Sequence, residues 1–246
     1  MISSIQPSRL VLFDIDGTLL TSAGVASRIF GEVLAEASGR PVPTADYSMA
    51  GKTDRQIVRD LLARASFGSE RIDGLVDQVL DLYLERLPGM LAASSGASLF
   101  PGVHALLTRL DAMPQVLLGL LTGNLERGAA IKLERLGVRQ FFRLGAYGSD
   151  AEDRRALVAI AVRRAETLSG VRFADRRVVV VGDTPLDIDC GRAAGAFTVA
   201  VATGPYRIEE LASHEPDALF ADFSDVERVV VEILDAADGE PWKGSA

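Results

Sequence analysis

The chain has 246 residues, of which 48% are hydrophobic, and a formal net charge of -8 with a pI of about 4.9. This length can bury a sizeable core, either as one large domain or as a core with an insertion. The negative charge repels nucleic-acid backbones and anionic membranes, so we expect neither as a partner. An anionic substrate would need a local positive site.

The cellular location follows from two features of the sequence. The single cysteine, Cys190, excludes an internal disulfide framework and favours a reducing cytoplasm, where we expect it to be a small buried residue. The first ten residues lack a charged leader followed by a long apolar segment, and no apolar run approaches the ~18 residues of a membrane span. We therefore expect a cytoplasmic protein, and either a monomer or a homodimer is compatible with the sequence.

The first predicted element is a buried strand at residues 11–13, which ends in the run DIDGTL. Asp14 then lies at the edge of the sheet, where a charge is costly unless something binds it. Asp14 and Asp16 would be roughly 6 to 7 Å apart in an extended chain, so one carboxylate could attack a transferring group while the other protonates the leaving group. The alternative is a common Asp-Gly turn in which Asp14 is a solvated strand end or a helix cap.

The next part of the chain is predicted to be helical, with apolar periodicity and no strand. The helical patterns cover residues 24–39, 53–66 and 70–87. The small, polar, glycine-bearing segment 92–102 is typical of a hinge or linker. We expect a helical insertion at residues 22–94, and a core made of residues 1–21 and 95–246.

Lys52 ends the loop that precedes the second of these helices. It is either a solvated lysine or a substrate contact, and together with Arg55 it is a candidate for setting substrate preference.

From Pro101 onward, helices and strands alternate, which predicts βαβ units and a parallel sheet. The tail after Asp238 is expected to be frayed. The predicted strands lie within residues 115–124, 141–148, 178–183, 197–204 and 218–223, and the predicted helices within 103–111, 125–137, 153–170, 185–195 and 224–238.

Three of the strands end at polar residues, Asp14, Thr122 and Asp183, and the ends of parallel strands meet at one edge of a sheet. Thr122, Gly123 and Asn124 precede a helix whose backbone N–H groups suit a phosphate oxygen. The alternative is that Asn124 caps this helix and Thr122 is only a β-former.

Carboxylates gathered at one edge would repel each other without a cation, and a hard divalent ion resolves this repulsion. The carboxylates of Asp14 and Asp183 with a backbone carbonyl match what Mg²⁺ prefers. Zinc is not expected, because His104 and His214 lie in unrelated segments. Asp187 also has a structural interpretation, as the third residue of a capping-box-like helix start, which can coexist with a supporting role at the metal.

A basic group for a transferring phosphoryl group is offered by Arg154 and Arg155 at the start of a predicted helix. Adjacent arginines at a helix start are also typical of a solvated surface, so position alone does not select either one.

Taken together, these motifs resemble the four ordered motifs of the haloacid dehalogenase (HAD) superfamily. They are DIDGTL at 14–19, Thr122 in LLTGN, a basic residue at 154 or 155, and VGDTPLD with Asp183 and Asp187. The helical insertion resembles the cap that phosphoglycolate phosphatases and their relatives carry between the first and second motifs. The resemblance implies an α/β fold, with a Rossmann-like parallel sheet as the core and a helical cap inserted there.

The resemblance also implies a mechanism, in which a small phosphorylated metabolite of the phosphoglycolate type is hydrolysed through an aspartyl-phosphate intermediate. Asp14 would be the nucleophile and a Mg²⁺ ligand. Asp16 would be the general acid and then base, its backbone carbonyl also binding Mg²⁺. The remaining implied roles are phosphate binding by Thr122, Gly123, Asn124 and the basic residue, Mg²⁺ binding by Asp183, and support of the metal by Asp187.

Two alternatives remain open, a phosphomutase of the β-phosphoglucomutase type and a non-catalytic binding protein on the same fold. The dehalogenases of the superfamily lack an aspartate at the position of Asp16, so this residue favours a phosphatase.

One feature departs from the family pattern, because many relatives have a Lys-Pro pair at the third motif. We select Arg154 as the counterpart of that lysine, since this alignment places Ile160 and Ala161 on the apolar positions of the helix. Arg155 remains an alternative, and the departure is compatible with a substrate unlike phosphoglycolate.

Overall fold

A computed structural model describes residues 6–235. Its centre is a six-stranded sheet. The strands are β1 (Arg9–Phe13), β4 (Val116–Leu121), β5 (Leu144–Ala146), β6 (Val178–Gly182), β7 (Phe197–Val201) and β8 (Ala218–Phe220). They lie in the order β5-β4-β1-β6-β7-β8, and every neighbouring pair is parallel. The predicted α/β class with a parallel, Rossmann-like sheet is therefore confirmed.

Strand β1 lies in the middle of the sheet, between β4 and β6. Its Leu12 is in register with Gly119 on one side and with Val180 on the other. The four residues of β1 after Arg9 are buried, because helices cover both faces of a parallel sheet. The chain leaves the sheet at Asp14, whose backbone N–H still donates to the carbonyl of Val181 at 2.9 Å.

Helices lie on both sides of this sheet. Side chains of α4 (Val103–Asp111), α5 (Glu126–Arg135) and α9 (Val226–Asp235) share one hydrophobic cluster with Val11 and Phe13. Leu10 and Leu12, which alternate with those residues along β1, pack instead with α6 (Arg155–Ser169) and α7 (Pro185–Ala193). The buried Cys190 belongs to this second cluster, as expected.

The helices α1 (Val25–Ser38), α2 (Asp54–Arg64) and α3 (Ser69–Ala93) form a separate unit, here called the helical module. They bury their own hydrophobic cluster, in which the rings of Phe30 and Tyr83 stack with centroids 4.5 Å apart. Two short antiparallel strands, β2 (Leu20–Thr21) and β3 (Ser98–Leu99), flank the module in sequence.

The structure differs from the sequence prediction in three places. Helix α3 continues past residue 87 through Pro88, because Leu87 and Leu91 extend the buried face begun by Val76 and Tyr83. The predicted linker 92–102 contains the last two residues of α3 and strand β3. A five-residue helix, α8 (Ile208–Ala212), was not predicted; it packs Leu211 against Ile188 and Ala200.

The predicted fraying after Asp238 lies outside the described residues. No helix within residues 6–235 is long and apolar enough to cross a membrane.

Candidate active site

The candidate site begins at Asp14, where the buried strand β1 ends. The side chain is buried and forms an ion pair with Arg154, whose Nη2 lies 3.1 Å from Asp14 Oδ1. Burial raises the pKa of the Asp14 carboxyl, Arg154 lowers it, and the nearby Asp187 and Asp16 raise it further. The net effect is an increase, so a further cation at this edge would favour the ionised form of Asp14.

Asp183 follows β6 at the same edge of the sheet. Carboxylate oxygens of Asp14, Asp183 and Asp187 lie within 4.8 Å of one another, and all three residues are buried. Burial and the charges of Asp14 and Asp187 hold the pKa of Asp183 well above its ordinary range. One oxygen of Asp183 accepts a hydrogen bond of 2.8 Å from the hydroxyl of Thr18.

Asp187 lies in the first turn of α7 and takes part in the predicted capping box with Thr184. Its Oδ2 accepts hydrogen bonds from the backbone N–H and the hydroxyl of Thr184, while its Oδ1 accepts one of 2.5 Å from Arg154 Nη2. Both oxygens are thus engaged by the protein, which suits a supporting position beside a metal better than direct ligation.

These carboxylates fit a hard divalent cation. Three buried acids face a single arginine, Arg154, and their oxygen atoms are the ligands that Mg²⁺ prefers. The backbone also approaches closely, since a Cβ at Gly17, where φ is +89°, would lie 2.2 Å from Asp183 Oδ2. The carboxylates that could hold the ion are those of Asp14 and Asp183.

The segment after β4 brings Thr122 and Asn124, two of the predicted phosphate-binding residues, to the same edge of the sheet. The buried Thr122 accepts hydrogen bonds from the backbone N–H and the side-chain amide of Asn124, at 3.3 and 2.8 Å. The Asn124 side chain does not cap α5, whose N-cap residue is Leu125; it donates to Asp16 Oδ2 at 2.8 Å instead. Because Thr122 accepts both bonds, its own hydroxyl hydrogen stays available for another acceptor.

Lys132, on the buried side of α5, is a site residue that sequence reasoning missed. Its Nζ lies 2.6 Å from Asp16 Oδ2 and 2.6 Å from Asn124 Oδ1, and its side chain is 2% exposed. Burial alone would lower the pKa of Lys132, but Asp16, Tyr83 and Asp54 raise it above its ordinary value. The available signal was its helical spacing, three residues after the buried Ala129 and next to Leu133.

Asp54, the first residue of α2, was also missed. Its backbone N–H donates to the carbonyl of Gly123 at 2.8 Å, and its Oδ2 accepts from the N–H of Leu125 at 2.8 Å. Burial raises the pKa of Asp54 to about 6, although Lys132 lowers it. Acidic residues are common in the first turn of solvated helices, so the sequence held no specific signal for this one.

The two candidate arginines lie in different environments. Arg154 is buried against Asp14 and Asp187, and also donates to the carbonyls of Gly51 and Leu121. The side chain of Arg155 is 75% exposed and pairs with Asp153. Only Arg154 is therefore placed to meet a group bound at Asp14.

The side chains of Lys52 and Arg55 are bonded within the helical module. Lys52 Nζ lies 3.1 Å from Asp60 and 3.0 Å from the hydroxyl of Tyr47, while Arg55 pairs with Asp77. The main chain of Lys52, by contrast, packs on the site, since a Cβ at Gly123 would lie 2.0 Å from its carbonyl oxygen. The glycine at position 123 is thus required by the contact between the module and the loop after β4.

A cavity of about 260 Å³ lies between this sheet edge and the helical module. Its floor includes Asp14, Thr122, Arg154 and Asp183, and its upper wall includes Phe30 of α1. The class of protein defined by this arrangement is a Rossmann-like α/β protein with a buried acidic pocket at the carboxyl edge of its sheet.

Residues 8–195 match the model of the haloacid dehalogenase-like hydrolase family, and the chain belongs to this family of enzymes. It is 32% identical over 219 residues to the phosphoglycolate phosphatase of Rhodospirillum rubrum, covering 88% of each chain. The phosphoglycolate phosphatase of Agrobacterium fabrum is 26% identical, with 92% of this chain and 94% of that protein covered.

Two solved structures share the fold. The β-phosphoglucomutase of Clostridium difficile superposes with a TM-score of 0.70 at 14% identity, covering 95% of this chain and all of that one. A haloacid dehalogenase-like hydrolase from Streptococcus pneumoniae has a TM-score of 0.65 at 20% identity, covering 94% and 99%. At these identities the similarity describes the fold alone.

Proposed function

We propose that this enzyme is a Mg²⁺-dependent phosphatase that hydrolyses a small phosphomonoester through an aspartyl-phosphate intermediate on Asp14. The observation that supports the proposal is the buried ion pair between Asp14 and Arg154, because a carboxylate that attacks phosphorus needs a cation beside it to bind the phosphoryl group. The similarity to phosphoglycolate phosphatases supports a small phosphomonoester as the substrate.

In the first half-reaction, an oxygen of Asp14 forms a bond to phosphorus while the bond to the leaving oxygen breaks. Arg154 and the hydroxyl of Thr122 orient the phosphoryl oxygens, and Asp16 gives a proton to the leaving alcohol. In the second half-reaction, Asp16 takes a proton from water, and the hydroxide displaces Asp14 from phosphorus. Bound Mg²⁺ would neutralise phosphoryl charge and the repulsion among the acids.

The helical module, at residues 22–94, is proposed to act as a cap on a core made of residues 1–21 and 95–246. Its residues 51–54 pack on the loop after β4 and on Arg154, which supports a role in excluding water from the site. We propose that the enzyme acts in the cytoplasm, a setting consistent with its single buried cysteine.

The test is hydrolysis of an aryl phosphate by the wild type and by Asp14→Asn, with and without Mg²⁺. We expect activity only in the wild type with Mg²⁺, and a phosphorylated Asp14 peptide after rapid acid quenching. Metal-independent activity, or a fully active Asp14→Asn protein, would contradict the mechanism. A wild type that is silent on monophosphates until a bisphosphate activator is added would indicate a phosphomutase instead.

A further inference from the structure

The cavity wall formed by the helical module consists mainly of apolar side chains. The helical module supplies Ala26, Ser27 and Phe30 from α1, Met49 from the following loop, and Ile57 from α2. Phe30 and Ile57 are 1% and 4% exposed, so this wall is formed by packed apolar side chains. A leaving group bound to phosphorus at Asp14 has to extend toward this wall.

The cations that line the cavity, among residues 6–235, are already paired with carboxylates of the protein. Arg154 is paired with Asp14 and Asp187, at the phosphate end. Lys132 is held by Asp16 at 2.6 Å. Lys52 turns its ammonium group to Asp60 of the module.

Two carboxyl groups also line the cavity. Asp16 and the buried Asp54 both line the cavity and both act on Lys132, so the charge of Lys132 is already shared between two carboxyl groups of the protein. A carboxylate on the leaving group would lose its water beside Phe30 and Ile57 and would find no unpaired lysine or arginine among the described residues that line the cavity. An uncharged group avoids both costs.

We infer that the substrate is a phosphomonoester whose leaving group is small, uncharged and partly apolar, rather than a carboxylate as in phosphoglycolate. This inference rests on the proposed phosphatase function.

The test compares phosphoglycolate with its amide, which has the same shape and no carboxylate charge, and with isobutyl phosphate, in which methyl groups replace the carboxylate oxygens. An aryl phosphate is measured in parallel as a reference for phosphatase chemistry. We expect kcat/KM for the amide and the isobutyl ester to exceed that for phosphoglycolate by about tenfold or more.

The results distinguish a wrong leaving-group class from a wrong phosphatase function. A kcat/KM for phosphoglycolate that equals or exceeds that of its amide overturns the inference and leaves the proposed phosphatase intact. Turnover of the aryl phosphate alone also overturns it, because the small uncharged class is then wrong. If none of the four esters is hydrolysed with Mg²⁺ present, the proposed function itself fails.

A variant pair tests the electrostatic cause. Ser27→Lys adds a cation to the wall at an exposed position, and Ser27→Gln adds a neutral side chain that also extends over the cavity. We expect Ser27→Lys to raise the ratio of kcat/KM for phosphoglycolate to that for its amide by about fivefold, and Ser27→Gln to leave this ratio as in the wild type. An unchanged ratio in Ser27→Lys would count against the inference.

Discussion

Lys132 Nζ lies 2.6 Å from Oδ2 of Asp16, although the two residues are 116 positions apart in the sequence. The side-chain amide of Asn124 donates to the same oxygen at 2.8 Å. Two donors therefore anchor one oxygen of the Asp16 carboxyl, and the carboxyl cannot rotate without breaking both bonds. This arrangement fixes the proposed proton-transfer group relative to Asp14.

Replacing Lys132 by methionine keeps the length of the side chain and removes the charge. We expect kcat for an alkyl phosphate to fall by about ten- to a hundredfold, because a loosely held Asp16 delivers its proton less often in the right geometry. The loss should be smaller for a nitrophenyl phosphate, whose leaving group departs without a proton. Steady-state kinetics on the two esters measures the difference.

The matched control is Lys52→Met, which removes a cation that pairs with Asp60 inside the helical module. This variant should not change how kcat differs between the alkyl and the nitrophenyl phosphate. Equal losses on both esters for Lys132→Met, together with a lowered melting temperature, would mean that Lys132 contributes only to packing and charge balance.

We expect substitutions of the adjacent Arg154 and Arg155 to have very different effects. Arg154→Gln removes the cation between Asp14 and Asp187, so we expect kcat/KM to fall by about a hundredfold or more and inhibition by inorganic phosphate to be lost. The buried acids also lose their partner, which should destabilise the metal-free protein by about 3 kcal/mol. Urea unfolding and phosphate inhibition measure the two effects separately.

The exposed Arg155→Gln is the control and should resemble the wild type in both measurements, because its ion pair with Asp153 lies in solvent. If Arg155→Gln lost phosphate inhibition while Arg154→Gln kept it, the assignment of the basic residue would be reversed.

Most of the fold was predictable because its strands carry unambiguous signals. Four consecutive valines before Gly182 and Asp183 identify β6, and the polar residues after β1, β4 and β6 meet at one edge because the strands are parallel. The short helix α8 was missed, since five residues are too few to show a helical period. The end of α3 was missed because Pro88 is usually a helix breaker, whereas packing of Leu91 sustains the helix here.

The missed site residues depend on contacts between distant segments. Lys132 reaches Asp16 only after α5 packs in the hydrophobic cluster that also contains Val11 and Phe13 of β1. Asp54 is buried only when the start of α2 packs on Gly123 and Leu125. A lysine in a helix and an aspartate at a helix start are both ordinary surface residues in a sequence. Their roles come from tertiary packing, which local patterns do not encode.

Binding of Mg²⁺ can be measured without turnover. We expect the ion to stabilise the wild type, by about 2.7 kcal/mol when its concentration is a hundred times the Kd, because it binds the folded acids and not the unfolded chain. Asp183→Asn retains an oxygen that can accept from Thr18 but lacks the charge, so this gain should largely disappear. Thermal unfolding with and without Mg²⁺ measures this gain in stability. Asp153→Asn, at an exposed position, is the control. A full Mg²⁺ shift in Asp183→Asn would exclude Asp183 as a ligand.

Asp54 predicts a specific pH dependence of stability. Its folded-state pKa is raised to about 6 from an ordinary value of 3.8, mainly by burial, so between these values the folded state binds the proton more tightly than the unfolded state does. The contribution of protonated Asp54 to the free energy of unfolding is fully present below pH 3.8. It is lost as the pH rises through about 6. Asp54→Asn removes this proton equilibrium while its amide oxygen can still accept from the N–H of Leu125.

The free energy of unfolding of the wild type, relative to that of Asp54→Asn, should therefore fall by about 1 kcal/mol between pH 5 and pH 7. Urea unfolding at both pH values measures this difference, and Asp77→Asn, an exposed acid of the same module, is the matched control. A difference between wild type and Asp54→Asn that is constant over this range would mean that Asp54 stays ionised in the folded protein. In that case the charge of Lys132 outweighs burial at Asp54, and its attraction helps to hold the start of α2 on the core.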